Sequence, residues 1–173
     1  FVNFYILIKE GGLSSIRRIY FDGSKKYDEK FYLGIINKNR GRFHENNKFY
    51  EKNFNKYRES ILKYLSDLGH VLAEVSGPSL KFYENATLVD VFFKVHEGPI
   101  VKVRNIEYGF PQDLFKDELS SITINKAGEV YKPNEIAIER DRIINFLKSK
   151  GYFYSKVKDY NKDVATFSNN YEN

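Results

Sequence analysis

An internal repeat constrains this chain more than any other feature of its sequence. Residues 2–11 match residues 89–98, and the glycines that end the two copies, Gly11 and Gly98, lie 87 residues apart. Both copies carry apolar residues at alternate positions, end in Glu-Gly, and are followed by a second apolar run. Because alternation is typical of a half-buried strand and glycine suits a tight turn, each copy is predicted to be strand, turn and strand. A repeat of this length indicates a structural unit that occurs more than once.

A second pair of matching segments has the period of an α-helix. Residues 61–69 match residues 143–151, with apolar side chains at spacings of three and four, as on one face of a helix. Gly69 and Gly151 follow the last periodic residue of each segment. Since a left-handed residue ends many helices, both glycines are predicted to have positive φ.

The remaining segments complete the fold prediction. Residues 70–75 and 152–157 follow the two glycines and are apolar at alternate positions, as expected for strands. Shorter helices are predicted at residues 28–36 and 113–122. One unit therefore has the order β-α-α-β-β. This order predicts an α+β fold in which two helices cover one face of a three-stranded mixed sheet.

The repeat also divides the chain into modules. Residues 1–11 are predicted to be the closing strand of a preceding module, residues 12–98 a complete module, and residues 99–173 a module without its last strand. Leaving apolar side chains of the first strand in water costs roughly 1.5–3 kcal/mol each. We therefore expect this strand to be donated to the incomplete sheet of another copy of the chain. The donated side chains would be Val2, Phe4, Ile6 and Ile8.

Motifs of catalysis and metal binding are absent from the sequence. There is no Cys among the 173 residues, which excludes disulfides and thiolate ligands. His44, His70 and His96 have no second His or paired carboxylate at the spacing of a metal site. No nucleophile elbow or phosphate-binding loop occurs. The sequence therefore predicts no enzyme activity and no cofactor.

Charge and aromatic content raise nucleic-acid binding as an alternative. The formal charge is +5, but the basic residues are interspersed with acidic ones, as on an ordinary solvated surface. Residues 150–157 partly resemble the aromatic strand of an RNA-recognition motif. Phe153 and Val157 depart from that motif, and Gly151 is predicted to end a helix. We expect no nucleic-acid partner, and a small α+β RNA-binding protein remains the alternative function.

Three features in this order resemble the POTRA domains of the BamA family of outer-membrane assembly proteins. They are the strands ending in Glu-Gly, a glycine and tyrosine before the second long helix, and a glycine followed by an aromatic or His at the end of each long helix. The residues are Glu10-Gly11, Glu97-Gly98, Gly128, Tyr131, Gly69-His70 and Gly151-Tyr152. A longer module followed by a shorter one is similar to the third and fourth modules of the family's array. His70 departs from the pattern, since the family usually has Tyr there.

The resemblance implies a periplasmic scaffold whose parent protein is anchored in the outer membrane by a C-terminal barrel outside this chain. It implies that the partners are unfolded outer-membrane β-barrel proteins and accessory assembly lipoproteins. In the family's arrangement the strand after the long helix is a sheet edge, where an extended client can pair. The predicted client-binding residues are His70, Val71, Leu72, Ala73, Glu74 and Val75, with Tyr152, Phe153, Tyr154, Ser155, Lys156 and Val157 in the second module.

Overall fold

The computed structural model describes residues 2–8, 12–39, 48–108 and 114–156, and the chain forms two compact units, Phe1–Val101 and Lys102–Asn173. The elements of the first unit are β1 (Ser15–Asp22), α1 (Glu29–Asn39), α2 (Lys52–Asp67), β2 (Glu74–Tyr83) and β3 (Leu88–His96). Those of the second are α3 (Lys116–Ile122), a 3-10 turn (Pro133–Glu135) and α4 (Ile136–Ser149). In the part of the chain with described positions, no helix is long and apolar enough to cross a membrane.

The sheet of the first unit has the order β1-β3-β2. β3 runs parallel to β1 and antiparallel to β2, so the sheet is mixed, as the repeat predicted. The register pairs Ile16 with Val89 on one side of β3 and Phe82 with Val89 on the other. The segment with the clearest alternation in the sequence is therefore the central strand.

The core lies between this sheet and both helices of the unit. Alternate residues of β3 are buried, as one face of a strand requires. They pack in a single cluster with the apolar faces of α1 and α2, which confirms that both helices cover the same face. From β3 the cluster takes Val89, Val91, Phe93 and Val95, and from the helices Tyr32, Ile35, Ile36, Phe54, Tyr57, Ile61 and Leu65.

Both long helices end in the turn predicted from their glycines. Gly69 has φ of +92° and Gly151 has φ of +94°, which confirms the prediction. After α2, the His70 N–H donates to the Leu65 carbonyl at 2.9 Å and the Gly69 N–H donates to the Ser66 carbonyl at 2.9 Å. These two bonds satisfy carbonyls that have no partner within the helix.

The second unit is organised around α4. Leu119 of α3 and Leu147 of α4 are buried there. The buried carboxylate of Glu139 accepts hydrogen bonds from the backbone N–H groups of Ile124 and Asn125, and from the Asn125 side chain at 2.8 Å. Glu139 therefore fastens the segment between α3 and α4 to the helix. Among the described residues of this unit, strand pairing is limited to one antiparallel bridge, from Lys102 to Val130.

Candidate strand-pairing edge

The outer edge of β2 is the most open strand edge of the first unit. β2 pairs with β3 on one side, and within the described ranges no strand pairs with its other side. β1 is the opposite edge of the sheet, but its start is partly covered. Ser15 forms an antiparallel bridge with Lys48, and the Phe49 N–H donates to the Ser14 carbonyl at 3.0 Å. An added strand would therefore meet less obstruction at β2 than at β1.

A break divides β2 into two stretches. The register shifts between Ser76 and Ser79, and Pro78 in this interval has no N–H to donate. Gly77 has φ of +100°, and a Cβ there would lie 2.9 Å from the Phe92 carbonyl oxygen, so a side chain is excluded. The longer uninterrupted stretch is residues 79–83, which pairs with residues 88–92 of β3.

Polar contacts across the sheet hold this longer stretch in place. The Tyr83 hydroxyl donates to the buried carboxylate of Asp90 at 3.2 Å, and the Arg17 guanidinium donates to the same carboxylate at 2.8 Å. Arg17 also lies 4.3 Å from the centre of the Tyr83 ring. The hydrogen bond from Arg17 lowers the pKa of Asp90, which favours the charged form of this carboxylate. β1, β3 and β2 are thus tied together at one end of the edge.

The predicted edge strand begins later than the sequence indicated. Glu74 and Val75 lie in β2, but residues 70–73 form a turn in which the Ala73 N–H donates to the His70 carbonyl at 3.1 Å. The strand assignment for His70, Val71, Leu72 and Ala73 is therefore wrong. The His70 side chain at the start of this turn is buried and contacts distant partners, Tyr27 and Gly98.

The second predicted edge strand is also absent from the described residues. Tyr152, Phe153, Tyr154, Ser155 and Lys156 lie outside any strand, and Val157 is outside the described residues. The Phe153 N–H donates to the Gly151 carbonyl at 3.0 Å and the Ser155 N–H to the Tyr152 carbonyl at 3.1 Å. Since these donors are used in tight local turns, they are not available to a sheet. The rings of Tyr152, Phe153 and Tyr154 are exposed.

The sequence did not predict the structural role of a buried carboxylate next to the sheet. Glu97 accepts hydrogen bonds from the Ser24 hydroxyl at 2.6 Å, from the Tyr32 hydroxyl at 3.0 Å, and from the backbone N–H of Lys25 at 3.1 Å. Burial alone would raise the pKa of Glu97, but these bonds outweigh burial and lower the pKa to about 2. Glu97 thereby anchors the loop between β1 and α1. The Glu-Gly pair at the end of the repeat is the sequence signal for this role, in addition to the turn that it predicts.

His70 extends this polar network to the end of α2. Its Nε2 lies 3.1 Å from the Tyr27 hydroxyl, and its Nδ1 lies 3.0 Å from the Gly98 carbonyl oxygen. Because a carbonyl can only accept, Nδ1 carries a proton and donates to it. The ring is 1% exposed, so it acts as a structural link between helix end, loop and strand end.

The residues predicted for strand donation are exposed. Val2, Phe4, Ile6 and Ile8 lie outside any strand, and Leu7 between them is 98% exposed. Nothing in the described structure covers these side chains, and their donation to a sheet stays a prediction. In the described ranges, no three His, Asp or Glu residues are grouped as a metal site would need.

Comparison with known proteins identifies the first unit. Residues 14–98 match the model of the POTRA family, described as a surface antigen variable number repeat. Over 161 residues the chain is 23% identical to the outer membrane protein assembly factor BamA of Neisseria meningitidis serogroup B. That alignment covers 90% of this chain and 20% of the relative, so the chain spans about one fifth of the relative's length.

Two solved structures share the fold. The crystal structure of Haemophilus influenzae BamA POTRA3-5 has a TM-score of 0.53 at 15% identity, covering 82% of this chain and 52% of that one. The crystal structure of BamA from Haemophilus ducreyi lacking POTRA domains 1-3 has a TM-score of 0.55 at 21% identity, covering 86% of this chain and 27% of that one. Two helices on one face of a mixed three-stranded sheet, together with the family match over the same residues, show that residues 14–98 of this chain belong to the POTRA family.

Proposed function

We propose that this chain is a non-enzymatic part of an outer-membrane protein assembly factor and lies in the periplasm. In this role it binds extended segments of unfolded β-barrel proteins along the outer edge of β2. The observation that carries the proposal is that no described strand pairs with the outer edge of β2. At the opposite edge, the start of β1 is partly covered. The relative named as an assembly factor supports the cellular context.

The chemistry of a strand edge suits a receptor for many clients. An added strand is held by main-chain hydrogen bonds, which are the same for every sequence. Strands of outer-membrane barrels alternate in polarity, so one face of an added strand is apolar and the other polar. Phe82 is a half-exposed aromatic ring on β2, while Ser79 and Lys81 on the same stretch are polar and exposed. Residues 79–83 therefore offer both kinds of contact.

Rigidity of the edge favours binding further. The contacts of Tyr83 and Arg17 with Asp90 fix the end of β2 before any partner arrives. A preformed edge loses less conformational entropy when a client pairs with it than a mobile one would. We further propose that residues 12–98 and 99–173 are successive modules of one array that also docks accessory lipoproteins. The division of the chain into two compact units supports this part of the proposal.

Site-directed cross-linking tests the edge. The chain has no Cys, so a single introduced cysteine is unique. We expect Ser79→Cys in the full chain to form a disulfide with a peptide of alternating Val and Thr that carries one central Cys. Asp22→Cys on β1 and Lys63→Cys on α2 are the matched exposed controls, and we expect several-fold slower cross-linking at both.

A second peptide isolates the main-chain contribution. The same peptide with every backbone amide methylated has no N–H to donate to a ladder, so we expect it to lose both cross-linking and binding. Amide resonances of residues 79–83 should shift with the unmodified peptide alone. Two results would rule out strand addition at β2. One is cross-linking at Lys63→Cys as fast as at Ser79→Cys, and the other is binding of the methylated peptide as tight as that of the unmodified peptide.

A further inference from the structure

A shallow groove in the second unit has the chemistry of a binding site. It lies between α4 and residues 153–156 and has a volume of about 490 Å³. We call it the α4 groove. The side chains that shape it are Arg140, Ile144, Lys148, Phe153, Tyr154 and Lys156. The groove is built from a helix and the turn that follows it, so its two walls are adjacent in sequence.

Positive charge dominates the walls of the α4 groove. Asp141 is the acidic lining residue, and its carboxylate lies 3.0 Å from the Arg140 guanidinium in an ion pair. The charges of Arg140 and Asp141 therefore largely cancel. Lys148 at the end of α4 and Lys156 beyond the turn leave the groove with a positive excess. This positive excess favours the binding of an anionic partner.

Two aromatic rings stand in water at the mouth of the α4 groove. Phe153 is 71% exposed and Tyr154 is 92% exposed. Adjacent exposed aromatic side chains beside polar residues are typical of interaction surfaces, because covering them removes apolar area from water. The rings lie 6.0 Å apart at an angle of 78°, so they meet edge to face. Successive stacked bases need parallel ring faces, which makes this pair poorly suited to single-stranded nucleic acid.

The turn that carries the rings is held locally. The Ser155 N–H donates to the Tyr152 carbonyl at 3.1 Å, and the Ser155 hydroxyl donates to the same carbonyl at 2.7 Å. The Tyr152 N–H donates to the Leu147 carbonyl at 3.0 Å, which joins the turn to the end of α4. The turn that carries Phe153 and Tyr154 is therefore held against the end of α4 before any partner binds.

We propose that the α4 groove binds an acidic peptide segment of a partner protein. Carboxylates of the segment face Lys148 and Lys156, and an apolar side chain covers Phe153 and Tyr154. Recognition here depends on side chains and charge, whereas pairing at β2 depends on main-chain hydrogen bonds. The α4 groove is thus a second site, independent of the β2 edge.

Fluorescence anisotropy with the full chain tests the proposal. The probe is a labelled twelve-residue peptide of alternating Glu and Phe, with a Lys and Phe peptide and an oligouridine of equal length as comparisons. We expect the acidic peptide to bind and the basic peptide not to bind. Affinity for the acidic peptide should fall as salt rises, because the lysines are exposed.

Variants then locate the binding site. Lys148→Glu with Lys156→Glu should weaken acidic-peptide binding about tenfold and reduce its salt dependence, since two attractions become repulsions. Two single substitutions outside the helix, Lys156→Glu and Phe153→Ala, should each weaken acidic-peptide binding several-fold. Lys126→Glu, exposed elsewhere in the same unit, should leave binding unchanged. Circular dichroism and thermal melting confirm that each variant is folded.

Three results would overturn the proposal. One is an acidic peptide that does not bind the unmodified chain. Another is a loss of acidic-peptide affinity in Lys126→Glu as large as that in the groove variants. The third is tighter binding of the oligouridine than of the acidic peptide, which would assign the groove to nucleic acid. Cross-linking of the Val and Thr peptide at Ser79→Cys should persist in all groove variants. That readout separates failure of the α4 groove from failure of the β2 edge.

Discussion

The Glu97 carboxylate shows how one residue can define a loop. Burial disfavours its charge, yet the Ser24 hydroxyl and the backbone N–H groups of Lys25 and Lys26 stabilise the carboxylate more than burial destabilises it. The net effect is a pKa of about 2 in the folded state, against 4.5 for an ordinary Glu. A charged Glu97 therefore binds its loop more tightly than a protonated one would.

The first prediction concerns acid stability. Because the folded-state pKa of Glu97 is depressed, its contribution is complete above pH 4.5 and is lost as pH falls through about 2. We expect Glu97→Gln to lower the free energy of unfolding at neutral pH, and the difference from the unmodified chain to shrink over that window. Urea unfolding at a series of pH values measures this. Glu59→Gln, an exposed site on α2, is the control, and a difference that grows on acidification would contradict the prediction.

The second prediction concerns the helix-ending glycines. An added Cβ at Gly151 would meet nothing within 4 Å, but φ is +94° there, so Gly151→Ala introduces backbone strain alone. We expect it to reduce the free energy of unfolding by roughly 1 kcal/mol, with a similar loss for Gly69→Ala. Gly34→Ala is the matched control, since Gly34 lies inside α1 with open space around it. It should stabilise the chain by up to about 1 kcal/mol, and a loss there would refute the argument.

At the scale of elements, α2 illustrates agreement between local pattern and packing. Its apolar residues recur at the period of a helix, and those on the inner side are buried against β3. β2 illustrates the opposite case, because its middle is shaped by a neighbour. The Phe92 carbonyl leaves no room for a side chain at Gly77, and the register shifts beside it. Helix formation follows the chain's own sequence. The irregularity of β2 has two causes, Pro78 of β2 itself, which has no N–H to donate, and the close approach of β3 at Gly77.

The third prediction measures how much α2 depends on its buried face. Ile61 is fully buried, so Ile61→Ala should cost about 2–5 kcal/mol of unfolding free energy through lost burial and the cavity it leaves. Ile61→Val should cost about 0.5–1.5 kcal/mol. Lys63→Ala, two residues away and exposed, should change stability by less than about 0.5 kcal/mol. Chemical denaturation monitored by circular dichroism gives all three values. Equal effects of Ile61→Ala and Lys63→Ala would show that the core is not where the structure has it.

At the scale of the whole molecule, the first segment exposes a run of apolar side chains. Residues 2–8 lie outside any strand, and Val2, Phe4, Ile6 and Ile8 are all exposed. These positions match those of Val89, Val91, Phe93 and Val95 in β3, which are buried in a sheet. We propose that the segment pairs with a sheet of a second copy, because pairing would bury the same side chains that β3 buries.

The fourth prediction tests this donation in solution. We expect the mass of the full chain, measured by light scattering, to rise with concentration. Deleting residues 1–10 should abolish the rise. Replacing Phe4, Ile6 and Ile8 by Thr is the length-matched control and should have the same effect, since it removes apolar area without shortening the chain. A full chain that stays monomeric at high concentration would end the proposal.

The covering of one sheet face by both helices was predicted from the order of the elements. Both long helices, their glycine ends and the strand that forms β3 were predicted from local patterns in the sequence. Each depends on a local period or on one residue's allowed φ, which neighbours along the chain specify. The start of β2 and the role of Glu97 were decided only by the tertiary structure. His70 is held by Tyr27 and Gly98, and Glu97 by Ser24 and Tyr32, all of them far away along the chain. A buried polar group must find a partner wherever the fold brings one, and the local pattern carries no record of that partner.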